Sequence, residues 1–260
     1  MKKVLIIVAI MIIAGIGIYF GVNKIGGSGE NSLEKKVADV LLSSSEEKYL
    51  QGETKGEGHI ILSSEVEGDL TTVYALTMYG EYGFQDGNFV KVSGTGVIPA
   101  VIKIFEKDGN VILTNIIWPK DGTGHEESLK EMFPEKHHKR VLSIKDKDRD
   151  TLKEMEVEYA KNYLTQIDRT AQIGEYGDFE HILLTEAGVS VKVSNKLVEK
   201  NYANYPSWIG NQEKIEDGIR YIYQMDYDKE NNQIILSKSN YETKEVTEKI
   251  VIDSLTGEEI

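Results

Sequence analysis

VIPAVIKIFEKDGNVILTNIIW, residues 97–118, contains the clearest structural signal in this chain. Both halves are rich in β-branched and apolar residues, which favour extended strands. Asp108 and Gly109 separate the halves, and an Asp-Gly pair readily adopts the positive φ angles of a tight hairpin turn. The sequence therefore predicts that Val101–Glu106 and Asn110–Trp118 pair as neighbouring antiparallel strands.

Strand-like sequence continues towards the amino terminus as far as Gly58. A second Asp-Gly pair, Asp86-Gly87, predicts another tight turn within it. We expect residues 31–168 to form an α+β domain, in which an antiparallel meander of about four strands is covered by helices. The strands are expected in HIILSSEV, LTTVYALTMYG, NFVKVSG, VIPAVIKIFE and NVILTNIIW.

Two segments that flank these strands have the spacing of amphipathic helices. Apolar residues recur three and four positions apart in Asn31–Leu50 and in Thr151–Ile167, so each segment presents one apolar side. A shorter helix is expected at Glu126–Phe133, because Pro134 cannot continue it. These helices are expected to cover the sheet.

The last third of the chain is mostly β in character. We expect a boundary within residues 169–177, followed by a smaller, mostly-β domain at residues 177–260. Alternation of apolar and polar residues with period two is typical of half-buried strands. It predicts strands in HILLT (181–185), VSVKVSN (189–195), RYIYQMDY (220–227), QIILSKSNY (233–241) and KEVTEKIVID (244–253).

The apolar run VLIIVAIMIIAGIGIYFGV, residues 4–22, contains neither charge nor proline. As a helix that rises about 1.5 Å per residue it would be about 28 Å long, close to the hydrocarbon thickness of a bilayer. Lys2 and Lys3 precede the run, which favours a cytoplasmic amino terminus. We therefore expect residues 1–30 to be a transmembrane signal anchor and tether. The protein would be a single-pass protein of the cell membrane, with most of the chain extracytoplasmic.

A cleaved signal peptide is the alternative interpretation of the same run. Secretory apolar regions are about 7–15 residues long and end in small residues at the cleavage site. This run is longer, and Phe20, Val22 and Ile25 occupy positions where small residues are needed. Residues 26–29 (GGSG) have the composition of a flexible tether. The uncleaved anchor is the favoured interpretation, and cleavage stays open.

The charge of the chain excludes some classes of partner. It has 43 acidic and 30 basic residues, a formal net charge of −13. Beyond Lys2, Lys3 and Lys24 the remainder carries about −16, and such a surface repels nucleic-acid phosphates and anionic lipid. The absence of cysteine excludes disulfides and thiolate metal sites. We expect no nucleic-acid partner.

Motifs for metals or catalysis begin in this sequence but are not completed. His125 opens an H-E-x-x-H pattern, but Leu129 stands where the second histidine is required. Asp146, Asp148 and Asp150 open a calcium-loop pattern that then lacks its glycine and its final glutamate. No catalytic, metal-binding or cofactor-binding residue is assigned, and no cofactor is expected.

Two loops with aromatic residues are candidates for ligand binding. One holds Trp118, Asp121 and His125, and the other holds Tyr205 and Trp208. Aromatic side chains beside polar ones are common where proteins bind peptides or sugars. The alternative is packing, because large aromatic residues more often close a core or join two subdomains.

TTVYALTMYGEYGFQDGNFVKVSGTGVIPAVIKIFEKDGNVILTNIIWPKDGTG, residues 71–124, resembles an extracytoplasmic region of clostridial and related Firmicute proteins. The similar features are V-Y-A before a Tyr-rich strand, a Gly-Asn-Phe turn, a strand with Pro-Ala, and a Trp-Pro-Lys-Asp-Gly loop followed by Lys130–Pro134. Some relatives carry this region beside antirepressor-type membrane metallopeptidases of the BlaR/MecR class. The resemblance covers about residues 57–167.

The peptidase part of those proteins is missing here, since the chain has no multi-span region and no H-E-x-x-H. The resemblance therefore implies a sensor or accessory module of a Gram-positive envelope rather than proteolysis. The end of the chain, IVIDSLTGEEI (250–260), more loosely resembles the close of small secreted β domains of the PepSY type.

These observations favour a membrane-anchored module that binds or senses an envelope protein or peptide without catalysis. One alternative is an envelope hydrolase that acts on wall sugars through paired carboxylates, because acidic residues are abundant. Another is an inhibitor or immunity-type protein that occupies the active site of its partner.

Overall fold

The computed structural model describes residues 32–44, 49–108, 110–200 and 202–260, and these residues form a mixed α+β fold with one large antiparallel sheet. Within the described residues there are five α-helices and eleven strands. The helices are α1 (Leu33–Ser44), α2 (His125–Met132), α3 (Glu135–Leu142), α4 (Asp146–Gln166) and α5 (Val191–Glu199).

The strands are β1 (Thr54–Glu67), β2 (Leu70–Gln85), β3 (Asn88–Gly94), β4 (Ile98–Lys107), β5 (Asn110–Ile117), β6 (Ile173–Glu175), β7 (Ile182–Leu183), β8 (Trp208–Glu216), β9 (Ile219–Asp228), β10 (Gln233–Asn240) and β11 (Val246–Asp253).

Strand β2 is the centre of the amino-terminal half of the sheet. Strands β1, β3 and β4 all pair with it, and β5 pairs with β4. Strand β2 pairs with β1 along nearly its whole length, with β4 over its first half and with β3 over its second half. Strand β4 therefore returns to β2 rather than to β3, and the order departs from a simple meander. The strand positions themselves agree with the prediction from sequence.

The predicted hairpin of residues 97–118 is confirmed. Strands β4 and β5 pair antiparallel, with Val101 opposite Ile117 and Lys107 opposite Asn110. Asp108 has a φ of 52°, the left-handed conformation for which this turn selects Asp and Gly.

Helices cover both faces of this half of the sheet. On one face Leu76, Met78 and Val101 pack against side chains of α2, α3 and α4 such as Leu129, Val141 and Leu152. On the opposite face, Val37, Val40 and Leu41 of α1 pack on Val73, Ala75, Ile102 and Ile104. Successive residues of a strand point to opposite faces of the sheet, so one set of side chains contacts α1 and the other contacts α2, α3 and α4.

Helix α4 lies close to the sheet because three glycines, Gly56, Gly58 and Gly80, leave room for it. A Cβ atom on Gly58 would lie 2.3 Å from the carbonyl oxygen of Leu152, and one on Gly80 would lie 2.1 Å from Oε1 of Glu156. Glu156 is buried, accepts a hydrogen bond from the Tyr82 hydroxyl at 2.8 Å and forms an ion pair with Lys91 at 2.9 Å. Helix α4 also begins at Asp146, five residues before the predicted start.

The carboxy-terminal half has a core of its own. Strands β8–β11 form consecutive antiparallel pairs. Helix α5 contributes Val193 and Leu197 to the cluster beneath it, which also holds Tyr223, Ile234 and other strand residues.

One predicted strand of this half is wrong, and another is shorter than expected. VSVKVSN was expected to be a strand, but it contains the start of α5, because Ser190 caps the helix by accepting a hydrogen bond from the backbone amide of Val193. HILLT contributes only the two-residue strand β7. Strand β8 was not predicted, since its first residues were interpreted as an aromatic loop.

The two halves share one sheet and are joined by charged and polar contacts. Gln85 at the end of β2 pairs with Gln212 of β8. Arg220 lies 2.5 Å from Glu53 and 2.8 Å from Glu213, and Arg169 makes a two-pronged pair with Glu213 at 2.6 and 2.9 Å. The division into domains at residues 31–168 and 177–260 stays a prediction.

In the part of the chain that the structure describes, no helix has the length and apolar character needed to cross a membrane. The predicted anchor, residues 1–30, lies outside the described residues, as does Asn31 at the predicted start of the first helix.

Candidate functional site

The first predicted loop lies between β5 and α2. Trp118 is half-buried and packs against the cluster beneath α1. Asp121 is exposed and precedes a short 3-10 turn, and His125 is the first residue of α2. The His125 ring is exposed, with Nδ1 3.0 Å from the carbonyl oxygen of Lys120. Asp121 and His125 are therefore open to solvent, whereas Trp118 has a packing role.

The second predicted pair, Tyr205 and Trp208, is buried. Tyr205 is buried in the carboxy-terminal core, where its ring meets that of Tyr223 edge to face at 5.2 Å. Trp208 is buried, and its indole nitrogen donates a hydrogen bond of 2.7 Å to Asp86 in the turn after β2. The second pair thus packs a core and joins the two halves. A ligand-binding role for the five residues stays a prediction.

A different feature brings exposed carboxylates together beside a mixture of polar and apolar side chains. It is an open groove with a volume of about 460 Å³ at the end of the sheet that α2 leaves uncovered. We call it the Tyr74 groove. Its floor is formed by Leu70, Thr72, Tyr74, Val101, Lys103 and Ile117, its α2 side by Glu131 and Met132, and its outer rim by Glu65 and Glu67.

The strand register explains why these residues face the same way. Glu65, Thr72 and Lys103 are direct neighbours across β1, β2 and β4. Glu67 lies opposite Leu70, one row further out. Directly paired residues point to the same face of a sheet. Residues 64–69, around the β1–β2 turn, are exposed, so the polar ends of these rows reach solvent.

Tyr74, which lines the groove, packs against a second aromatic ring and a histidine. The Tyr74 ring lies 5.8 Å from that of Phe133 and 6.3 Å from that of His137. Nε2 of His137 lies 2.7 Å from the Ser63 hydroxyl. Burial, with the charges of Lys136 and Arg140, lowers the pKa of His137. The lowered pKa favours the neutral form of this imidazole.

The outer end of the groove is negatively charged. Glu65, Glu67 and Glu131 are exposed, and within the described residues none of the three forms an ion pair. Burial, and then the charge of Glu65, raises the pKa of Tyr74, whose hydroxyl lies 3.5 Å from that carboxylate. Lys103 is the only cation among the described residues that line the groove, so these residues carry a net charge of −2. It suits a ligand that is cationic and partly apolar.

Other carboxylates are buried and bound to neighbouring side chains. Glu57 accepts a hydrogen bond of 3.1 Å from the Tyr159 hydroxyl, and its other oxygen lies 2.9 Å from Nδ1 of His59. Glu81 accepts a hydrogen bond from the Tyr79 hydroxyl and one of 3.0 Å from the backbone amide of Gly52. These groups hold the interior together and are closed to solvent.

No three His, Asp or Glu side chains converge as a metal site in the residues that the structure describes.

The Tyr74 groove was not expected from the sequence. One signal was present, since Glu65 and Glu67 alternate with Val66 at the end of a strand and so share a face. The third carboxylate, Glu131, comes from a helix more than sixty positions later, and only the tertiary structure brings it to the same rim.

The chain was compared with known proteins at three levels. No family model matches it. No curated protein and no solved structure matches it either. The resemblance to envelope modules of the BlaR/MecR class, and that of residues 250–260 to PepSY domains, therefore stay predictions.

Proposed function

We propose that this protein is a single-pass, membrane-anchored module of a Gram-positive cell envelope that binds a cationic, partly apolar segment of an envelope protein or peptide. Residues 1–30 would be the anchor, and the α+β region would lie outside the cell. The function would be binding or sensing rather than catalysis.

The Tyr74 groove is the observation that supports this proposal. Three exposed carboxylates, Glu65, Glu67 and Glu131, surround a floor that includes Leu70 and Ile117. Lysine or arginine side chains of a ligand could pair with the rim while its apolar side chains cover the floor. Exposed ion pairs contribute about 0.2–1 kcal/mol each, so the three rim carboxylates together would change affinity by about tenfold.

The alternative of a carboxylate hydrolase has less support. A glycosidase needs one carboxylic acid whose pKa is raised by its surroundings, close to a second carboxylate. The rim carboxylates are exposed to water. Burial raises the pKa of Glu156, but its oxygens are held by Tyr82 and Lys91 beneath α4. An inhibitor-type protein would use the same groove and is one form of the binding proposal.

The proposal can be tested with the full-length chain in detergent micelles and a fluorescent peptide that alternates lysine with apolar residues. Fluorescence anisotropy should show saturable binding that weakens as salt is added, because exposed ion pairs are screened. The triple variant E65Q/E67Q/E131Q should raise Kd by about tenfold.

A matched control removes the same number of charges elsewhere. Glu154, Glu230 and Glu242 are exposed and lie outside the groove. The variant E154Q/E230Q/E242Q should bind like the wild type. Equal weakening by both triple variants would show that net charge alone attracts the peptide, and it would refute a binding site at the groove.

A further inference from the structure

A serine and a histidine meet beside the Tyr74 groove. Oγ of Ser63 in β1 lies 2.7 Å from Nε2 of His137 in α3. Both side chains are half-buried, so solvent reaches each of them. A serine hydroxyl within hydrogen-bond reach of an imidazole is the arrangement in which a histidine can activate a serine nucleophile. The binding function proposed above uses neither residue.

An irregularity in β1 turns Ser63 towards the histidine. Ile61 lies opposite Ala75, but Ser63 lies opposite Tyr74, so the register shifts by one residue between them. Ile61 and Ala75 pack beneath α1, whereas Tyr74 packs on the other face of the sheet, against Phe133. Residues two apart in a regular strand share a face. The bulge therefore moves Ser63 to the face covered by α3, and bulges often re-aim a side chain beside a functional site.

The groups around His137 favour its neutral form. Burial, and then the charges of Lys136 and Arg140 in the same helix, lower the pKa of the imidazole, and Glu65 of β1 opposes this change. Only a neutral imidazole can accept the proton of a serine. Tyr74 of β2 packs against the imidazole, with 6.3 Å between the rings, and also lines the groove. The serine–histidine pair is therefore one side chain away from an open surface.

We propose that Ser63 and His137 are a nucleophile and its general base, and that they hydrolyse small esters with a good leaving group. The Ser63 oxygen attacks the ester carbonyl carbon while its proton passes to Nε2 of His137. The bond to the leaving alcohol or phenol breaks, and the imidazolium returns the proton to that oxygen. Water then attacks the acyl-serine with the same base, which releases the carboxylic acid and restores Ser63.

The surroundings of the pair limit the class of ester. Within the described residues no carboxylate forms an ion pair with His137, so the third group that orients the base of a catalytic triad is missing. A weakly basic leaving group, as in phenyl esters, is therefore needed. The residues that line the neighbouring groove carry a net charge of −2, which favours esters with an uncharged acyl group over anionic ones.

The proposal can be tested by treating the full-length chain in detergent micelles with a fluorescent fluorophosphonate, which phosphonylates reactive serines as fluoride leaves. Mass spectrometry should locate the label on Ser63. S63A should abolish this labelling, and H137Q should slow it by about a hundredfold, the lower end of the contribution of a general base. A wild-type chain without label on Ser63 would overturn the proposal, as would an H137Q variant labelled at the wild-type rate.

Ser64 and His138 supply matched controls. Ser64 is more exposed than Ser63 but lies opposite Val73, on the other face of the sheet. Nε2 of His138 lies 2.8 Å from the carbonyl oxygen of Phe133. S64A and H138Q should be labelled like the wild type, and circular dichroism and thermal unfolding should confirm that all the variants are folded. Equal slowing by H137Q and H138Q would contradict a specific role for the first histidine.

A second measurement needs no variant. Hydrolysis of p-nitrophenyl butyrate by the wild type should speed up with rising pH and then level off, as the neutral form of His137 becomes complete. The midpoint should lie below about 6.5, the ordinary pKa of histidine. A rate that keeps rising in proportion to hydroxide would refute the assigned base. Since the peptide-binding assay depends on neither residue, failure of this proposal can be distinguished from failure of the binding proposal.

Discussion

Replacing Lys91 by methionine should strongly destabilise the protein, because it leaves a buried carboxylate without its counter-ion. The side chains of Lys91 and Glu156 are 8% and 1% exposed, and Nζ lies 2.9 Å from Oε2 of Glu156. Lys91 also donates a hydrogen bond of 2.9 Å to the carbonyl oxygen of Thr95. The pair ties α4 to β3 at the centre of the fold.

The magnitude follows from the burial of both partners. Removal of one member of a buried ion pair typically costs about 3–5 kcal/mol, since the other charge stays in a poorly solvated site. Tyr82 would still donate its hydrogen bond to Glu156. The loss should therefore lie near the lower end, at about 3 kcal/mol. The double variant K91M/E156Q should recover at least half of it, because glutamine is neutral and can still accept that bond.

The loss should also depend on pH. Burial raises the pKa of Glu156 in the folded protein, and Lys91 opposes this rise. Without Lys91 the pKa rises further. A carboxyl group with a raised folded pKa contributes stability that is present below its unfolded pKa, about 4.3, and that is lost as pH rises through the folded value. The cost of K91M should therefore be small near pH 4 and should grow as the pH rises towards 7.

Urea unfolding of wild type, K91M and K91M/E156Q at several pH values measures these quantities directly. The three curves should have similar slopes, so that the midpoints report stability. A loss below about 1 kcal/mol at pH 7, the range of an exposed ion pair, would refute the reasoning. A loss that does not change between pH 4 and pH 7 would refute it as well.

Two further substitutions test the packing of the fold. Gly58→Ala should cost about 1–3 kcal/mol in thermal or urea unfolding, because its Cβ would lie 2.3 Å from the backbone oxygen of Leu152. Gly96→Ala, with nothing within 4 Å, should change stability by less than about 0.5 kcal/mol, and an equal loss would contradict the close packing of α4. Trp208→Phe should cost about 1.5–3 kcal/mol, because it removes a hydrogen bond to the carboxylate of Asp86. No loss in the same unfolding assay would show that this bond does not hold the two halves together.

The amino-terminal sheet could be predicted from local sequence because its turns have specific chemistry. Asp86 and Asp108 both adopt positive φ, at 48° and 52°, and each is followed by glycine in the sequence. The strands on either side of each turn pair antiparallel. The pairing of β4 with β2 could not be predicted, since the local sequence does not determine which of the earlier strands β4 will pair with.

In the carboxy-terminal half, a pattern of alternating apolar and polar residues occurs in a helix as well as in strands. VSVKVSN has the period of a strand, yet Val193 and Leu197 lie four positions apart and become the buried side of α5. Ser190 decides between the two by capping the helix. The candidate site could not be predicted either, because its rim joins Glu65 and Glu67 of β1 to Glu131 of α2.

The central claim is that a cationic segment binds in the Tyr74 groove. The most direct test uses the cysteine-free chain with a benzophenone attached to a single cysteine, either at Thr72 in the groove floor or at Glu242 outside it. We expect the basic peptide to be cross-linked from position 72 and not from position 242, with unlabelled peptide competing. Saturable binding without cross-linking from position 72, or equal yields from both positions, would contradict the claim.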